Sequence, residues 1–196
     1  SNPQAPRAVS AWKTGLLIRA ASDNGKTVGG SAPNFLMASG DSLFVSNGNN
    51  DMIERFDLAS GKLLAQQRIM PSSLVAGLRG VGPSGMAVSP DAGWLFVAES
   101  GINAIAVMDA RTLEVVGHIP TAWYPYRLAI APDGKHIASI SFKGFGNGPS
   151  AGREIPKSDF LGMKGVLTIL NTPSTDDLRA MTQQVRPSTR APSCSG

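Results

Sequence analysis

Short apolar runs, rich in β-branched and aromatic side chains, recur along most of the chain and are separated by Gly, Pro, Asn and Asp. Because the first group of residues suits a pleated sheet and the second suits tight turns, the pattern predicts short antiparallel strands joined by hairpins. A helical spacing of apolar residues occurs near the C-terminus, at Leu178, Met181 and Val185. The chain is therefore expected to be mostly β-structure with one late helix.

The runs are grouped into units of four. In the clearest unit they begin at Pro83, Trp94, Ala104 and Leu113, and the Pro-Asp pair ending at Asp91 suits the first turn. Proline fixes φ and aspartate can accept a hydrogen bond from its own backbone, so this pair has a physical reason to turn the chain. Each unit therefore predicts a four-stranded antiparallel meander.

Repeats of roughly 40–50 residues with this composition predict an all-β fold of β-propeller blades, whose strands we label A to D from the axis outward. Two runs at 15–30 match only strands C and D of an earlier blade. The predicted propeller region, 15–172, is thus a partial arc of about three to three and a half blades. Its later blades are predicted at 33–70, 83–120 and 125–171.

The two ends of the chain differ from the blades. Ser174 followed by acidic residues is a typical helix start, which predicts a short C-terminal helix over 173–186 in place of a last D strand. We expect a flexible N-terminal segment over 1–14 and a disordered tail over 187–196, which is rich in Pro and Ser.

Composition narrows the function classes. The 196 residues are 42% hydrophobic and 16% charged, which indicates a globular chain. The net charge of +4 comes from scattered Lys and Arg residues and not from a basic stripe, so no nucleic-acid partner is expected. No apolar run reaches the roughly 18 residues that a membrane span needs. A single cysteine, Cys194, leaves the redox compartment undecided.

Strand order predicts which loops share a face. The D-to-A and B-to-C connections lie on one face of a propeller, and here that face includes an unusually long B-to-C loop at 143–164. Long loops on a rigid scaffold commonly carry function, so we expect binding on this face near the axis. The candidate binding residues are Asn47, Asn49, Glu99, Asn103, Trp123, Tyr124, Tyr126, Arg127, Lys143 and Arg153.

The cluster of Trp123, Tyr124, Tyr126 and Arg127 has two interpretations. These large side chains would either wedge between blades or form a stacking platform for a carbohydrate or a protein at the channel mouth. For Glu99, the alternative to an acid–base role is a turn or solvent-exposed position.

No catalytic, cofactor or metal site is expected. The chain has two histidines, His118 and His136, which we interpret as strand-edge or surface residues, and no ligand pair has metal-site spacing. The glycine-rich stretch 144–148 lacks the Lys-Ser/Thr pair and the following helix of a phosphate-binding loop. It is interpreted as a flexible loop.

The motifs resemble a known family. Ser89–Asp91 followed by Leu95–Ala98 and Asn103–Asp109 resembles the Tyr-Val-Thr-Asn β-propeller repeats of bacterial surface-layer and secreted proteins. Further motifs are similar to the propeller half of bacterial proteins that carry an alkaline-phosphatase-like phosphoesterase domain after the propeller; they are Gly30–Asn34, Ala98–Ala104, Trp123–Pro125, Lys143–Pro149 and Lys164–Ile169. This resemblance implies a periplasmic or extracellular origin. It assigns no catalytic residue, because the phosphoesterase domain would follow the helix.

These observations favour a non-catalytic binding or scaffolding module of a secreted bacterial protein, with an unknown ligand. The alternatives are a propeller enzyme, lactonase-like or quinone-dependent dehydrogenase-like, and a structural element of a surface layer. An open arc exposes the apolar faces of its terminal blades. We therefore expect self-association that completes a ring, further blades in a longer chain, or terminal segments that cover the ends.

Overall fold

The computed structural model describes residues 8–16, 30–71, 79–144 and 165–185. In this part of the chain it contains three antiparallel sheets and one C-terminal helix, which confirms the predicted all-β fold of partial β-propeller blades. Most of the predicted partial blade at 15–30, most of the long loop at 143–164 and the predicted tail at 187–196 lie outside the described residues.

Each sheet is a meander whose neighbouring strands are consecutive in the chain. The first blade contains β1 (Pro33–Ser39), β2 (Ser42–Asn47), β3 (Met52–Asp57) and β4 (Leu63–Arg68). The middle blade contains β5 (Pro83–Val88), β6 (Trp94–Glu99), β7 (Ala104–Asp109) and β8 (Val115–Pro120). The third blade contains β9 (Pro125–Ile130), β10 (His136–Ser141) and β11 (Val166–Asn171), and the helix α1 (Thr175–Val185) follows it.

The blades pack face to face in chain order, and two apolar cores form between them. The core between the first and middle blades contains Phe44, Ile53, Leu95, Val97 and Met108. The core between the middle and third blades is built around Phe96, Ile105, Val107, Ile119 and Ile137. Because the middle blade is covered on both faces, β6 and β7 are almost continuously apolar and buried.

The inner strands β5 and β9 approach each other closely at Gly85. A Cβ atom at this position would lie 2.4 Å from the carbonyl oxygen of Tyr126 and 2.8 Å from the Cα atom of Arg127. Only glycine fits between these backbones, so it sets the distance between the middle and third blades at the axis.

Helix α1 packs on β8, the outer strand of the middle blade, and lies within the predicted range of 173–186. The Ser174 hydroxyl accepts a hydrogen bond from the Asp177 backbone N–H at 3.2 Å, which is the predicted cap. Leu178 and Thr182 face Gly117, where a Cβ atom would collide with both side chains. The Thr182 hydroxyl also accepts a hydrogen bond from the His118 backbone N–H at 2.8 Å.

The segment 8–16 lies on the outer side of the first blade. Trp12 stacks on Phe56 with ring centroids 6.0 Å apart, and the Thr14 hydroxyl and Gly15 N–H both donate to the Glu54 carboxylate. Residues 1–7 of the segment predicted to be flexible lie outside the described residues. The described part of the segment covers β3 of the first blade.

Candidate functional site

A cleft of about 330 Å³ opens at the axial end of the inner strands, and we call it the mouth cleft. Asn34, Ser84 and Tyr126 occupy the same place in three successive blades, because each follows the proline that begins strand A. All three line the cleft, together with the D-to-A and B-to-C connections. The lining residues are Asn34, Gly48, Asn49, Gly80, Gly82, Ser84, Ser100, Gly101, Tyr124 and Tyr126.

A chain of hydrogen bonds fixes the floor of the mouth cleft. The Ser46 hydroxyl donates to Asn34 Oδ1 at 2.6 Å, and Asn34 Nδ2 donates to the Pro83 carbonyl oxygen at 3.0 Å. The hydroxyls of Ser84 and Ser100 lie 2.9 Å apart, and Ser100 donates to the carbonyl oxygen of the next blade's first proline at 2.6 Å. These polar groups are satisfied internally, so they hold the inner strands together and give the cleft a rigid base.

Aromatic rings form one wall of the mouth cleft. Tyr126 stacks on Phe142 with ring centroids 4.6 Å apart, and Tyr124 lies 6.1 Å from the same ring. The Lys143 ammonium group lies 4.7 Å from the Tyr124 ring centroid. Trp123 and Tyr124 are exposed at the rim. The wall therefore offers ring faces and a cation to a molecule that enters the cleft.

Arg127 has a different position from its aromatic neighbours. Its guanidinium carbon lies 3.9 Å from the Tyr126 ring centroid and 4.7 Å from that of Phe35, which belongs to the first blade. The side chain therefore spans from the third blade to the first and fills space near the axis. Of the predicted cluster, Arg127 packs between inner strands, while Trp123 and Tyr124 reach the surface.

Asp51 and Asn103 occupy equivalent positions, each in the left-handed region just before strand C, with φ of 52° and 58°. Asp51 Oδ1 and Oδ2 accept hydrogen bonds from the backbone N–H groups of Gly82 and Gly80, both at 2.9 Å. Asn103 Oδ1 accepts one from the Tyr124 N–H at 2.9 Å. Each side chain thus ties its own blade to the connection that leads into the next blade. We call this pair the loop clamps.

The loop clamps make a prediction about Asp51. Asp51→Asn is expected to lower the free energy of unfolding by about 1 kcal/mol, because an amide keeps one acceptor and loses the second. Asp51→Ala removes both acceptors from two backbone N–H groups and is expected to cost about 3 kcal/mol. Urea unfolding of both variants measures the difference. Equal losses would contradict the clamp, since asparagine already serves at the equivalent position, Asn103.

Glu99 and His118 form a buried pair beneath the mouth cleft. Glu99 Oε2 lies 2.9 Å from His118 Nδ1, and the two residues are 0% and 2% exposed. The interpretations of Glu99 as a turn or solvent residue and of His118 as an edge or surface residue are therefore wrong. Strand order explains this result: β8 pairs with β7, so a side chain from strand D reaches the end of strand B across one strand.

Burial raises the pKa of the Glu99 carboxyl above the usual glutamate value, and the hydrogen bond and charge of His118 oppose this rise. The charge of nearby Asp51 raises the pKa of Glu99 further. Glu99 Oε1 is buried and has no hydrogen-bond partner among the described residues. Such a carboxyl favours its neutral form, and it acts on the packing between the first and middle blades.

The candidate binding residues therefore fall into groups. Asn49, Tyr124 and Tyr126 line the mouth cleft, and Trp123, Arg127 and Lys143 surround its aromatic wall. Asn47 and Glu99 are buried, Asn103 is a loop clamp, and Arg153 lies outside the described residues. Sequence reasoning missed the wall residue Phe142, and its place directly before Lys143 at the end of strand B was the available signal.

In the described ranges, no group of three or more His, Cys, Asp or Glu residues could hold a metal ion. No helix in the same part of the chain is long and apolar enough to span a membrane.

Comparison with known proteins gives the fold. No protein-family model and no curated protein sequence matches the chain. Kuenenia stuttgartiensis hydrazine synthase is similar in structure, with 23% identity and a TM-score of 0.50 over 57% of this chain and 29% of that chain.

Two 6-phosphogluconolactonase-like proteins also resemble this chain. The one from Bacteroides fragilis has 21% identity and a TM-score of 0.49 over 58% of this chain and 33% of its own. The one from Bacteroides uniformis has 22% identity and a TM-score of 0.48 over 60% and 34%. The chain spans about a third or less of each structure, and the likeness to hydrazine synthase supports the β-propeller fold alone.

Proposed function

We propose that this chain is a non-catalytic β-propeller module that binds or positions a ligand at the mouth cleft. The observation that carries the proposal is the cleft itself, which is built from the same strand position in three successive blades. A concave site with a fixed polar base and an aromatic wall is the usual form of a ligand site on a rigid scaffold.

The placement of the acidic and histidine side chains supports a non-catalytic role. A general acid or base must come within hydrogen-bond reach of the substrate. Glu99 and His118 are instead bonded to each other in the interior, and Asp51 is occupied by two backbone N–H groups. These groups stabilise the junction between blades, so they are not available to a molecule in the cleft.

The chemistry of the wall indicates what kind of ligand fits. The floor hydroxyls and amides are bonded to each other, whereas the rings of Tyr124 and Tyr126 border open space. A sugar ring presents an apolar face to an aromatic ring and hydroxyls to the remaining polar groups. We therefore propose a carbohydrate ligand. The proposed origin is a secreted bacterial protein with a phosphoesterase domain, which rests on the motif resemblance.

Titration of the full chain with maltotriose, cellotriose and chitotriose, followed by NMR chemical shifts, tests this proposal. At least one sugar is expected to shift the Tyr124 and Tyr126 resonances. Tyr126→Ala is expected to weaken binding about tenfold, which corresponds to about 1.4 kcal/mol. Trp94→Ala is the matched control, since Trp94 is an exposed aromatic residue at the opposite end of its strand.

The rival functions give other outcomes. Hydrolysis of a lactone or of p-nitrophenyl phosphate that is lost in Glu99→Gln and Arg127→Ala would contradict the proposal and favour a propeller enzyme. Failure of all three sugars to shift the tyrosine resonances would contradict the carbohydrate assignment and favour a structural surface-layer element.

A further inference from the structure

The free side of the third blade, which we call the trailing face, repeats a buried surface of the middle blade. In the middle blade, Ala98 and Ile105 are 0% exposed and Val107 is 4% exposed against the third blade. The strand register places Ile140, Leu167 and Ile169 at the same positions of the third blade. These three side chains are 49%, 62% and 64% exposed, although they are as apolar as their buried counterparts.

The free side of the first blade, which we call the leading face, repeats the other half of the same interface. In the middle blade, Met86, Leu95 and Val97 are buried against the first blade. The register places Leu36, Leu43 and Val45 at these positions of the first blade. Leu36 is 66% exposed, and an open cleft of about 700 Å³ lies over this part of the sheet.

We propose that the trailing face of one copy of this chain docks on the leading face of a second copy. The same type of interface occurs twice within the arc, between the first and middle blades and between the middle and third blades. One chain displays both complementary halves, so a second copy supplies a partner for each free face. Two three-blade arcs related by a two-fold axis close into a ring of about six blades, which is a usual number for propellers.

The terminal segments fit this arrangement. The described third blade has three strands, and α1 covers the middle blade at Gly117, on the side where a fourth strand would pack. On the leading face, Trp12 covers Phe56 of β3 and reaches Gly61, while the part around Leu36 stays open. The segment 8–16 therefore takes the outer area that a three-stranded blade leaves uncovered, and the inner area remains for the trailing face.

Light scattering coupled to size exclusion measures the mass of the full chain directly. At micromolar concentration we expect twice the chain mass of 20.4 kDa. Leu167→Glu is expected to weaken the association at least about a hundredfold, because docking would bury an unpaired carboxylate. Leu58→Glu is the matched control, since it places the same charge on an exposed leucine in the turn after β3, away from both faces.

Mixing two variants tests the head-to-tail arrangement. Leu36→Lys and Leu167→Glu should each be monomeric alone, and their mixture should regain the dimer mass, because one interface is intact and the other joins opposite charges. Recovery on mixing also shows that both variants are folded. A wild-type monomer at 100 µM would overturn the proposal. So would a Leu36→Lys variant that remains dimeric, or a wild-type mass above two copies.

Discussion

Gly85→Ala is expected to lower the free energy of unfolding by about 3 kcal/mol, at the upper end of the range for overpacking a closed interior. The added methyl group would meet the Tyr126 carbonyl oxygen at 2.4 Å and the Arg127 Cα atom at 2.8 Å. Both are backbone atoms, so no side chain can rotate away. The inner strands must separate, which also opens the floor of the mouth cleft.

Urea unfolding of the full chain measures this effect. Gly30→Ala is the matched control, because a Cβ atom at Gly30 would have no atom within 4 Å, and its free energy of unfolding should change by less than about 0.5 kcal/mol. Equal stability of the Gly85→Ala variant and the wild-type chain would show that the blades are not in contact at the axis.

Glu99→Ala is expected to lower the free energy of unfolding by about 3 kcal/mol, since it leaves His118 buried without its partner and opens a cavity between the blades. Glu99→Gln keeps the volume and a hydrogen-bonding group, so its effect at neutral pH should be smaller. Unfolding of the two variants in urea separates the loss of the pair from the loss of the charge.

The Glu99 pair also predicts a pH dependence. Since burial raises the pKa of Glu99 in the folded state, the folded chain holds this proton at pH values where the unfolded chain has lost it. The contribution of Glu99 to stability is therefore fully present below the unfolded pKa of about 4.3 and is lost as the pH rises through the folded pKa.

A series of urea unfolding curves from pH 4 to pH 7 measures this dependence. The Glu99→Gln variant should lose less stability than the wild-type chain as the pH rises. Glu114→Gln, at an exposed glutamate of the middle blade, should follow the wild-type profile. Parallel profiles for wild type and Glu99→Gln would contradict a raised Glu99 pKa.

The fold could be predicted from the sequence because each blade repeats local signals. Proline marks the start of strand A at Pro33, Pro83 and Pro125, and Asp57 and Asp109 close the turns between strands C and D. These signals act within a few residues, so they survive without any knowledge of the tertiary structure. The apolar pattern of the middle blade also follows from its burial on both faces.

The site could be predicted only in part, because its contacts join residues that are distant in the chain. Glu99 meets His118 across one intervening strand, and nothing local marks either side chain as buried. The loop clamps had a signal that alignment of the units would have shown: Asp51 and Asn103 both stand immediately before strand C. Tyr126 could be placed at the cleft once its equivalence to Asn34 and Ser84 was clear.

The packing of α1 on β8 has a consequence for synthesis. The hydrogen bond between Thr182 and His118 joins residues that are 64 positions apart. Since a nascent chain emerges from its N-terminus, the outer strand of the middle blade is made long before its cover. Gly117 and its apolar neighbours stay open to chaperones or to other nascent chains until α1 arrives. The last turn of the protein is thus the final step in maturing a blade that was translated much earlier.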